Sequence, residues 1–130
     1  MAESSYILYI EDENSVIDFV AKTLKPFGFK IVGVTSGVAG LTAMRAHKPT
    51  LLLLDLLIPD QSGPEIYREM KLDPDLTDIP VIVVSGKNPD YARTILADLP
   101  PAHDYIVKPF DPDQLIRSIR QVIYNHHPAK

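Results

Sequence analysis

The sequence predicts an α/β fold in which five parallel strands form one sheet between two layers of helices, a doubly wound (βα)5 arrangement. Short β-rich apolar runs alternate with longer stretches of helical periodicity along the chain, and such alternation implies parallel strands joined by right-handed crossovers. The content of 45% hydrophobic and 23% charged residues is ordinary for a soluble globular protein. The length of 130 residues suits one domain, with a core over about 6–124 and a frayed tail over 125–130.

The first half of the chain begins with a predicted strand from Tyr6 to Ile10. A helix follows, because apolar residues recur at spacings of three and four; they are Val16, Phe19, Val20, Leu24 and Phe27. Pro26 is expected to end or kink this helix, and Gly28 suits its exit. Lys30 to Thr35 is predicted as the second strand and Val38 to His47 as the second helix.

The middle of the chain contains the segment expected at the centre of the sheet. Thr50 to Asp55 is almost wholly apolar, as is typical of a parallel strand covered on both faces. Pro59 to Gly63 has the composition of a loop. Ser62 and Glu65 have the spacing of a capping box, which predicts a helix to about Leu72. Val81 to Ser85 is the fourth predicted strand.

The last two units carry clear helix-start signals. Asn88 and Pro89 predict an N-cap and a first-turn proline, and the apolar face that follows consists of Ala92, Ile95, Leu96 and Leu99. Tyr105 to Val107 is the fifth predicted strand. Asp111 then opens a final helix, whose inward residues are Leu115, Ile119, Val122 and Ile123.

Charge and composition exclude several classes of protein. The net charge is −4 and no long run of Lys or Arg occurs, so direct nucleic-acid binding is not expected. The chain has no cysteine, which excludes disulfides and thiolate chemistry. The longest apolar run, near Leu51 to Ile58, is interrupted by Asp55 and is too short for a bilayer. No signal peptide is visible at the N-terminus, and a cytoplasmic protein without membrane contact is therefore predicted.

Polar side chains stand where the predicted strands end. Glu11 and Asp12 follow the first strand, Asp55 ends the third, Ser85 ends the fourth and Lys108 follows the fifth. Ligands of open α/β sheets bind at this edge. Three carboxylates gathered there would repel one another, and Lys108 would neutralise one charge but not the set. Because the cluster contains only oxygen donors, Mg²⁺ is the predicted cation.

This arrangement suits phosphoryl transfer. Asp55 can serve as the oxygen nucleophile, Mg²⁺ and Lys108 can neutralise phosphoryl oxygens, and Ser85 can donate a hydrogen bond. The ordered set of Glu11-Asp12, Asp55, Ser85 and Lys108-Pro109-Phe110 resembles the receiver domains of two-component response regulators, which have a flavodoxin-like topology. The resemblance extends from Tyr6 to about Tyr124. It is to the stand-alone, single-domain type of receiver, and a phosphorelay intermediate or a piece of a larger protein would fit the same pattern.

The resemblance implies a role for each matching residue. Asp55 would accept a phosphoryl group from a histidine kinase or phosphotransfer protein, and the domain would catalyse only its own phosphorylation and dephosphorylation. Mg²⁺ would be bound by Asp12, Asp55 and the backbone carbonyl of Leu57, with Glu11 acting largely through water. Pro109 would follow a cis peptide bond. Ser85 and Tyr105 would form a switch that remodels the face of helix 4, strand 5 and helix 5, where an unidentified downstream protein would dock.

Four positions depart from the common pattern of this family. Leu57 and Lys87 lie two residues after Asp55 and Ser85, where family members control the access of water to the acyl phosphate. The bulk of Leu57 is expected to slow hydrolysis. Pro100-Pro101 replaces a small-residue approach to the fifth strand and is expected to stiffen that connection.

Alternative interpretations fit the sequence less well. Each strand-end residue taken alone could be a solvated turn, a helix cap or, for Tyr105, a core residue. A nucleotide-binding domain would need a glycine-rich loop after the first strand, where Glu11 and Asp12 stand instead. A dehalogenase-like phosphatase would need an acid at the position of Leu57. The main alternative is a receiver-like interaction module that is never phosphorylated.

Overall fold

The computed structural model describes residues 5–58, 63–86 and 88–126. Strands and helices alternate along these residues. All five strands belong to one sheet, in which their spatial order is β2-β1-β3-β4-β5. The strands are β1 (Ile7–Ile10), β2 (Ile31–Val34), β3 (Leu51–Leu54), β4 (Val81–Ser85) and β5 (Asp104–Val107). Every neighbouring pair is parallel. The predicted fold class is thus confirmed.

The helices lie at the predicted places in the chain. They are α1 (Asn14–Leu24), α2 (Gly37–Ala46), α3 (Gly63–Leu72), α4 (Pro89–Ile95) and α5 (Pro112–His126). A short 3₁₀ turn, Lys25–Phe27, extends α1 and ends at Gly28, whose φ of 86° lies in the left-handed region that favours glycine. Side-chain oxygens of Asn88 and Ser36 accept N–H groups at the starts of α4 and α2. These caps satisfy donors that the helix itself leaves unpaired.

Two apolar cores lie on opposite faces of the sheet. Alternate strand residues point to opposite faces, so Leu8 and Leu52 join one core while Ile7 and Leu53 join the other. Helices α2, α3 and α4 cover the first face, and α1 and α5 cover the second. Because β3 is central and contributes to both cores, all four of its residues are fully buried. This explains why its sequence is continuously apolar rather than alternating.

Two details of the helix predictions are wrong. The buried stripe of α1 consists of Ile17, Val20 and Leu24, whereas Phe19 is 52% exposed. Helix α4 ends at Ile95, and Leu99 lies beyond it, partly buried against the core. Leu99 itself is a poor helical residue here, because it precedes Pro100 and the residue before a proline disfavours helical geometry.

Some predictions fall outside the described residues. The capping role of Ser62, most of the Pro59–Gly63 loop, the effect of Lys87 and residues 127–130 of the predicted tail belong to this group. The first two residues of the predicted frayed tail, 125 and 126, are described and form the end of α5. Gly63 itself is described and is the first residue of α3, not part of the loop. Within the described residues no helix is long and apolar enough to cross a membrane.

Candidate functional site

The carboxyl ends of β1, β3, β4 and β5 bring the predicted polar residues to one edge of the sheet. Parallel pairing places β3 between β1 and β4, and β5 beside β4. Asp55 directly follows β3, and its N–H donates to the carbonyl of Ile10 at 3.1 Å. The backbone N–H of Lys108 donates to the carbonyl of Ser85 at 2.8 Å. Backbone pairing therefore sets the spacing of the whole site.

Three acidic side chains form a compact cluster at this edge. Glu11, Asp12 and Asp55 each offer a carboxylate oxygen, and these oxygens lie within 4.8 Å of one another. Glu11 is fully buried and Asp55 is 4% exposed, whereas Asp12 faces solvent. Close like charges in a poorly solvated place are unfavourable without a cation. The all-oxygen donor set and the open side at Asp12 fit a hard divalent cation such as Mg²⁺.

Lys108 links two of these carboxylates. Its ammonium group contacts Glu11 Oε1 closely and lies 2.9 Å from Asp55 Oδ2. Burial lowers the pKa of Lys108, but the hydrogen bonds and charges of Glu11 and Asp55 outweigh burial, and the pKa is raised above its ordinary value. Lys108 therefore stays charged at neutral pH and neutralises part of the cluster.

Backbone N–H groups fix the remaining carboxylate oxygens. The N–H of Leu57 donates to Asp55 Oδ1 at 2.9 Å, and the N–H of Glu13 donates to Glu11 Oε2 at 3.1 Å. The Leu57 side chain remains 45% exposed. A nonpolar side chain thus stands at the solvent side of the loop that follows Asp55.

The other predicted site residues occupy the neighbouring strand ends. Ser85 is buried at the end of β4. Tyr105 is half-buried on β5; its hydroxyl accepts the Ala102 N–H at 3.0 Å, and the Arg93 guanidinium lies 5.0 Å from its ring centre. The peptide bond between Lys108 and Pro109 is cis, as predicted. The switch roles of Ser85 and Tyr105 stay predictions.

Tyr9 is a site residue that the sequence analysis missed. It is fully buried beneath the cluster, and its hydroxyl donates to Glu11 Oε1 at 3.3 Å. Burial, followed by the nearby carboxylates of Glu11 and Asp55, raises its pKa, so the hydroxyl keeps its proton. The available signal was the strand period of two, because an extended backbone that continues one residue past β1 points the side chains of Tyr9 and Glu11 to the same side.

An apolar groove adjoins the lysine side of the site. It has a volume of about 410 Å³ and is lined by Ser15, Val16, Phe19, Lys108, Pro109 and Phe110. The exposed ring of Phe19 thus contributes to this groove instead of the core. Large apolar side chains exposed in one concave place commonly mark a contact surface.

A (βα)5 sandwich with acids and a lysine at its strand ends is the architecture of a receiver domain. The model of the response regulator receiver domain family matches residues 7–120. The chain therefore belongs to that family.

Curated relatives extend beyond the matched region. The transcriptional regulatory protein CseB of Streptomyces avermitilis is 32% identical over 123 residues, covering 95% of this chain and 51% of that protein. The DNA-binding response regulator MtrA of Mycobacterium tuberculosis is 32% identical over 114 residues, covering 88% of this chain and 48% of that protein. This chain thus spans about half the length of these relatives.

Solved receiver structures share the fold. The receiver domain of a signal transduction histidine kinase from Syntrophus aciditrophicus is 25% identical, with a TM-score of 0.84 and coverage of 97% of this chain and 95% of that one. A receiver domain of a Pseudomonas aeruginosa sensor histidine kinase, described with a magnesium ion in its active-site cleft, has a TM-score of 0.81 at 21% identity, covering 92% of this chain and 97% of that one.

Proposed function

We propose that this domain accepts a phosphoryl group on Asp55 from a histidine kinase or phosphotransfer protein, in a Mg²⁺-dependent reaction. The observation that carries the proposal is the nearly buried Asp55 carboxylate, 2.9 Å from the Lys108 ammonium and within the cluster of three acids. An oxygen nucleophile and a fixed cation are thereby held at one point. The magnesium ion of the Pseudomonas receiver structure supports the choice of metal.

The proposed reaction uses the side chains that the sheet edge brings together. An Asp55 carboxylate oxygen attacks the phosphorus of a phosphohistidine, and the phosphorus–nitrogen bond breaks. The imidazole keeps the electron pair of that bond and takes up a proton. Lys108, already next to Asp55, can move its ammonium to a phosphoryl oxygen. Catalysis in this proposal concerns only the domain's own aspartate.

Mg²⁺ would be held by Asp12 and Asp55 with the Leu57 carbonyl, and Glu11 would contribute mainly through water. When bound, the ion supplies positive charge that neutralises the transferred phosphoryl oxygens. Asp12 suits direct coordination because it is the exposed member of the cluster. The indirect role of Glu11 follows the receiver pattern, and its fully buried carboxylate would contribute negative charge beside the ion.

An intact-mass measurement tests the proposed function. The protein is incubated with acetyl phosphate and Mg²⁺, alongside an Asp55→Asn variant and a sample with a chelator. We expect a gain of one phosphoryl group that both controls lack, and that hydroxylamine removes because it cleaves acyl phosphates. A gain that persists in Asp55→Asn would place the acceptor elsewhere. No gain under conditions that phosphorylate another receiver would favour the non-phosphorylated interaction module.

Leu57 is expected to lengthen the lifetime of the acyl phosphate. Its side chain is 45% exposed two residues after Asp55, and we expect it to restrict the approach of water to the acyl phosphate. In Leu57→Ala we expect dephosphorylation on the order of tenfold faster, which corresponds to about 1.4 kcal/mol of barrier. The decay of phosphorylated protein in time-resolved mass spectra measures this rate. Leu72→Ala removes a more exposed leucine at the end of α3 and should leave the decay unchanged.

Phe19 is expected to contact a protein phosphodonor but not a small one. It forms part of the apolar groove beside Lys108, and exposed aromatic residues are frequent anchors of protein interfaces. Phe19→Ala should slow transfer from a phosphorylated phosphotransfer protein on the order of tenfold, with the acetyl phosphate rate unchanged. Phe27→Ala is the matched control, because Phe27 is 44% exposed but lies outside the groove. Equal slowing with both donors would contradict this role.

The downstream partner is proposed to dock on the face of α4, β5 and α5. Val107 of β5 and Tyr91 of α4 are exposed there. In this proposal Tyr105 links the face to the site, because it lies on β5 three residues before Lys108 and its ring contacts the Arg93 guanidinium of α4. A change at Asp55 that moved Ser85 and Tyr105 would therefore alter this face.

A further inference from the structure

Tyr9 places a polar group at the floor of the candidate site. Its ring belongs to the apolar core beneath α1 and α5, together with Ile17, Val20 and Leu53. Its hydroxyl leaves that core and points to Glu11 Oε1. A buried phenol is costly unless its hydroxyl has a partner, and a charged carboxylate is a strong acceptor.

Glu11 is held from three directions. Tyr9 and Lys108 both donate to Oε1, and the Glu13 N–H donates to Oε2. These donors belong to β1, to the residue after β5 and to the start of α1. A glutamate has one more rotatable bond than an aspartate, so its carboxylate needs such contacts to keep a single position. The Tyr9 contact, at 3.3 Å, is the only one of the three that comes from the core side.

We propose that Tyr9 is a positioning residue that holds the Glu11 carboxylate in the orientation that bridges Lys108 and faces the cation site. The proposal rests on the proposed function, because it assigns Tyr9 to the same cation and phosphoryl site. Tyr9 acts only through Glu11, and it does not touch the transferred phosphoryl group. Hydrogen-bond partners behind metal-site residues commonly control both affinity and rate.

The affinity for Mn²⁺, used as a paramagnetic probe ion, tests this proposal without any phosphorylation. Free Mn²⁺ is counted by electron paramagnetic resonance during titration of the wild-type protein and Tyr9→Phe. The substitution removes one oxygen and preserves the ring that fills the core. We expect the dissociation constant of Mn²⁺ to rise about three- to tenfold. Loss of a hydrogen-bond partner of a metal-site residue usually has a larger effect, but the hydrogen bond from Tyr9 is long.

Tyr67→Phe is the matched control for a merely structural effect. Tyr67 is also fully buried, and its hydroxyl donates to the Pro100 carbonyl at 2.6 Å, on the opposite face of the sheet. Both variants should lose thermal stability, measured by circular dichroism, but only Tyr9→Phe should bind Mn²⁺ more weakly. An equal loss of affinity in both variants would show that Tyr9 acts through general stability, and the proposal would fail.

A double-mutant cycle separates the role of Tyr9 from the identity of the reaction. In a Glu11→Gln background, Tyr9→Phe should no longer change Mn²⁺ affinity, because the carboxylate that it positions is gone. If Tyr9→Phe lowers the Mn²⁺ affinity of Glu11→Gln as much as it lowers that of the wild type, the proposal is overturned. Wild-type protein that binds no Mn²⁺ overturns it too. If Mn²⁺ binds and couples as expected but acetyl phosphate adds no phosphoryl group, the proposed function fails and the positioning role stands.

Discussion

Replacing Lys108 with methionine is expected to impair both stability and phosphorylation. The substitution keeps an unbranched side chain but leaves the buried carboxylates of Glu11 and Asp55 without their shared cation. Removing one partner from a buried ion pair is strongly unfavourable, and because Lys108 is partly exposed we expect a loss of about 2–3 kcal/mol in the free energy of unfolding at pH 7. Acetyl phosphate labelling should slow on the order of a hundredfold, as for the loss of one charge-stabilising donor.

Lys48→Met is the matched control for this substitution. Lys48 pairs with Asp78 at 3.2 Å, but both side chains are well exposed. Exposed pairs contribute little, so urea unfolding should show a change below about 0.5 kcal/mol. Comparable losses in the two variants would mean that Lys108 does not stabilise a buried acidic pair.

The pH dependence of Lys108→Met gives an independent check. Deprotonation of Lys108 removes the same charge as the substitution, so the deficit relative to wild type should shrink as pH rises through the raised pKa of Lys108. Mg²⁺ should also raise the melting temperature of the variant more than that of wild type. In the wild type the pKa of Lys108 is raised above the ordinary lysine value of 10.5, so its charge contributes fully to the free energy of unfolding below pH 10.5. This contribution is lost as pH rises through the raised pKa. Thermal melts across pH measure both trends.

Gly63→Ala is expected to be the most destabilising single-methyl substitution at the described glycines. A Cβ at this position would lie 2.3 Å from the Leu56 Cα and 2.6 Å from the Asp55 carbonyl oxygen. These are backbone atoms, which cannot rotate away as a side chain can. We therefore expect a loss of about 3 kcal/mol in urea unfolding, although alanine ordinarily favours a helix over glycine.

Gly86→Ala provides the comparison, because a Cβ there would meet nothing within 4 Å. Its stability should stay within about 0.5 kcal/mol of wild type. Gly63→Ala should also lower Mn²⁺ affinity, since α3 would have to move away from the backbone that carries Asp55. Wild-type stability in Gly63→Ala would show that α3 can shift at no cost.

The order and type of the elements were predictable because they depend on local patterns. Continuous apolar sequence identified β3, and the Asn88-Pro89 pair identified the start of α4. The candidate site was also largely predictable, because strand ends of a parallel sheet must share an edge. Asp55 and Lys108, which are 53 residues apart in sequence, meet for that reason.

The sequence did not predict which residues at the edge of an apolar stripe face the sheet, or where each helix ends. Helical periodicity placed Phe19 among the apolar residues of α1, but only the packed helix shows that the sheet covers Ile17 and Val20 and leaves Phe19 beside Lys108. Leu99 continued the apolar pattern of α4, but the helix ends at Ile95 and Leu99 packs against the core from the segment after it. An apolar residue at the border of a helix's apolar stripe can point to the core or to the surface. Its orientation depends on which elements pack against the helix.

The sequence by itself determined the (βα)5 order, the central strand and the set of acids and lysine at one edge, because these follow from periods of two and 3.6 residues and from parallel connection. Only the tertiary structure decided that Tyr9 supports Glu11 and that Gly63 lies against the backbone of Asp55 and Leu56. These contacts join separate layers or distant loops, and their lengths are set by how all the intervening side chains pack.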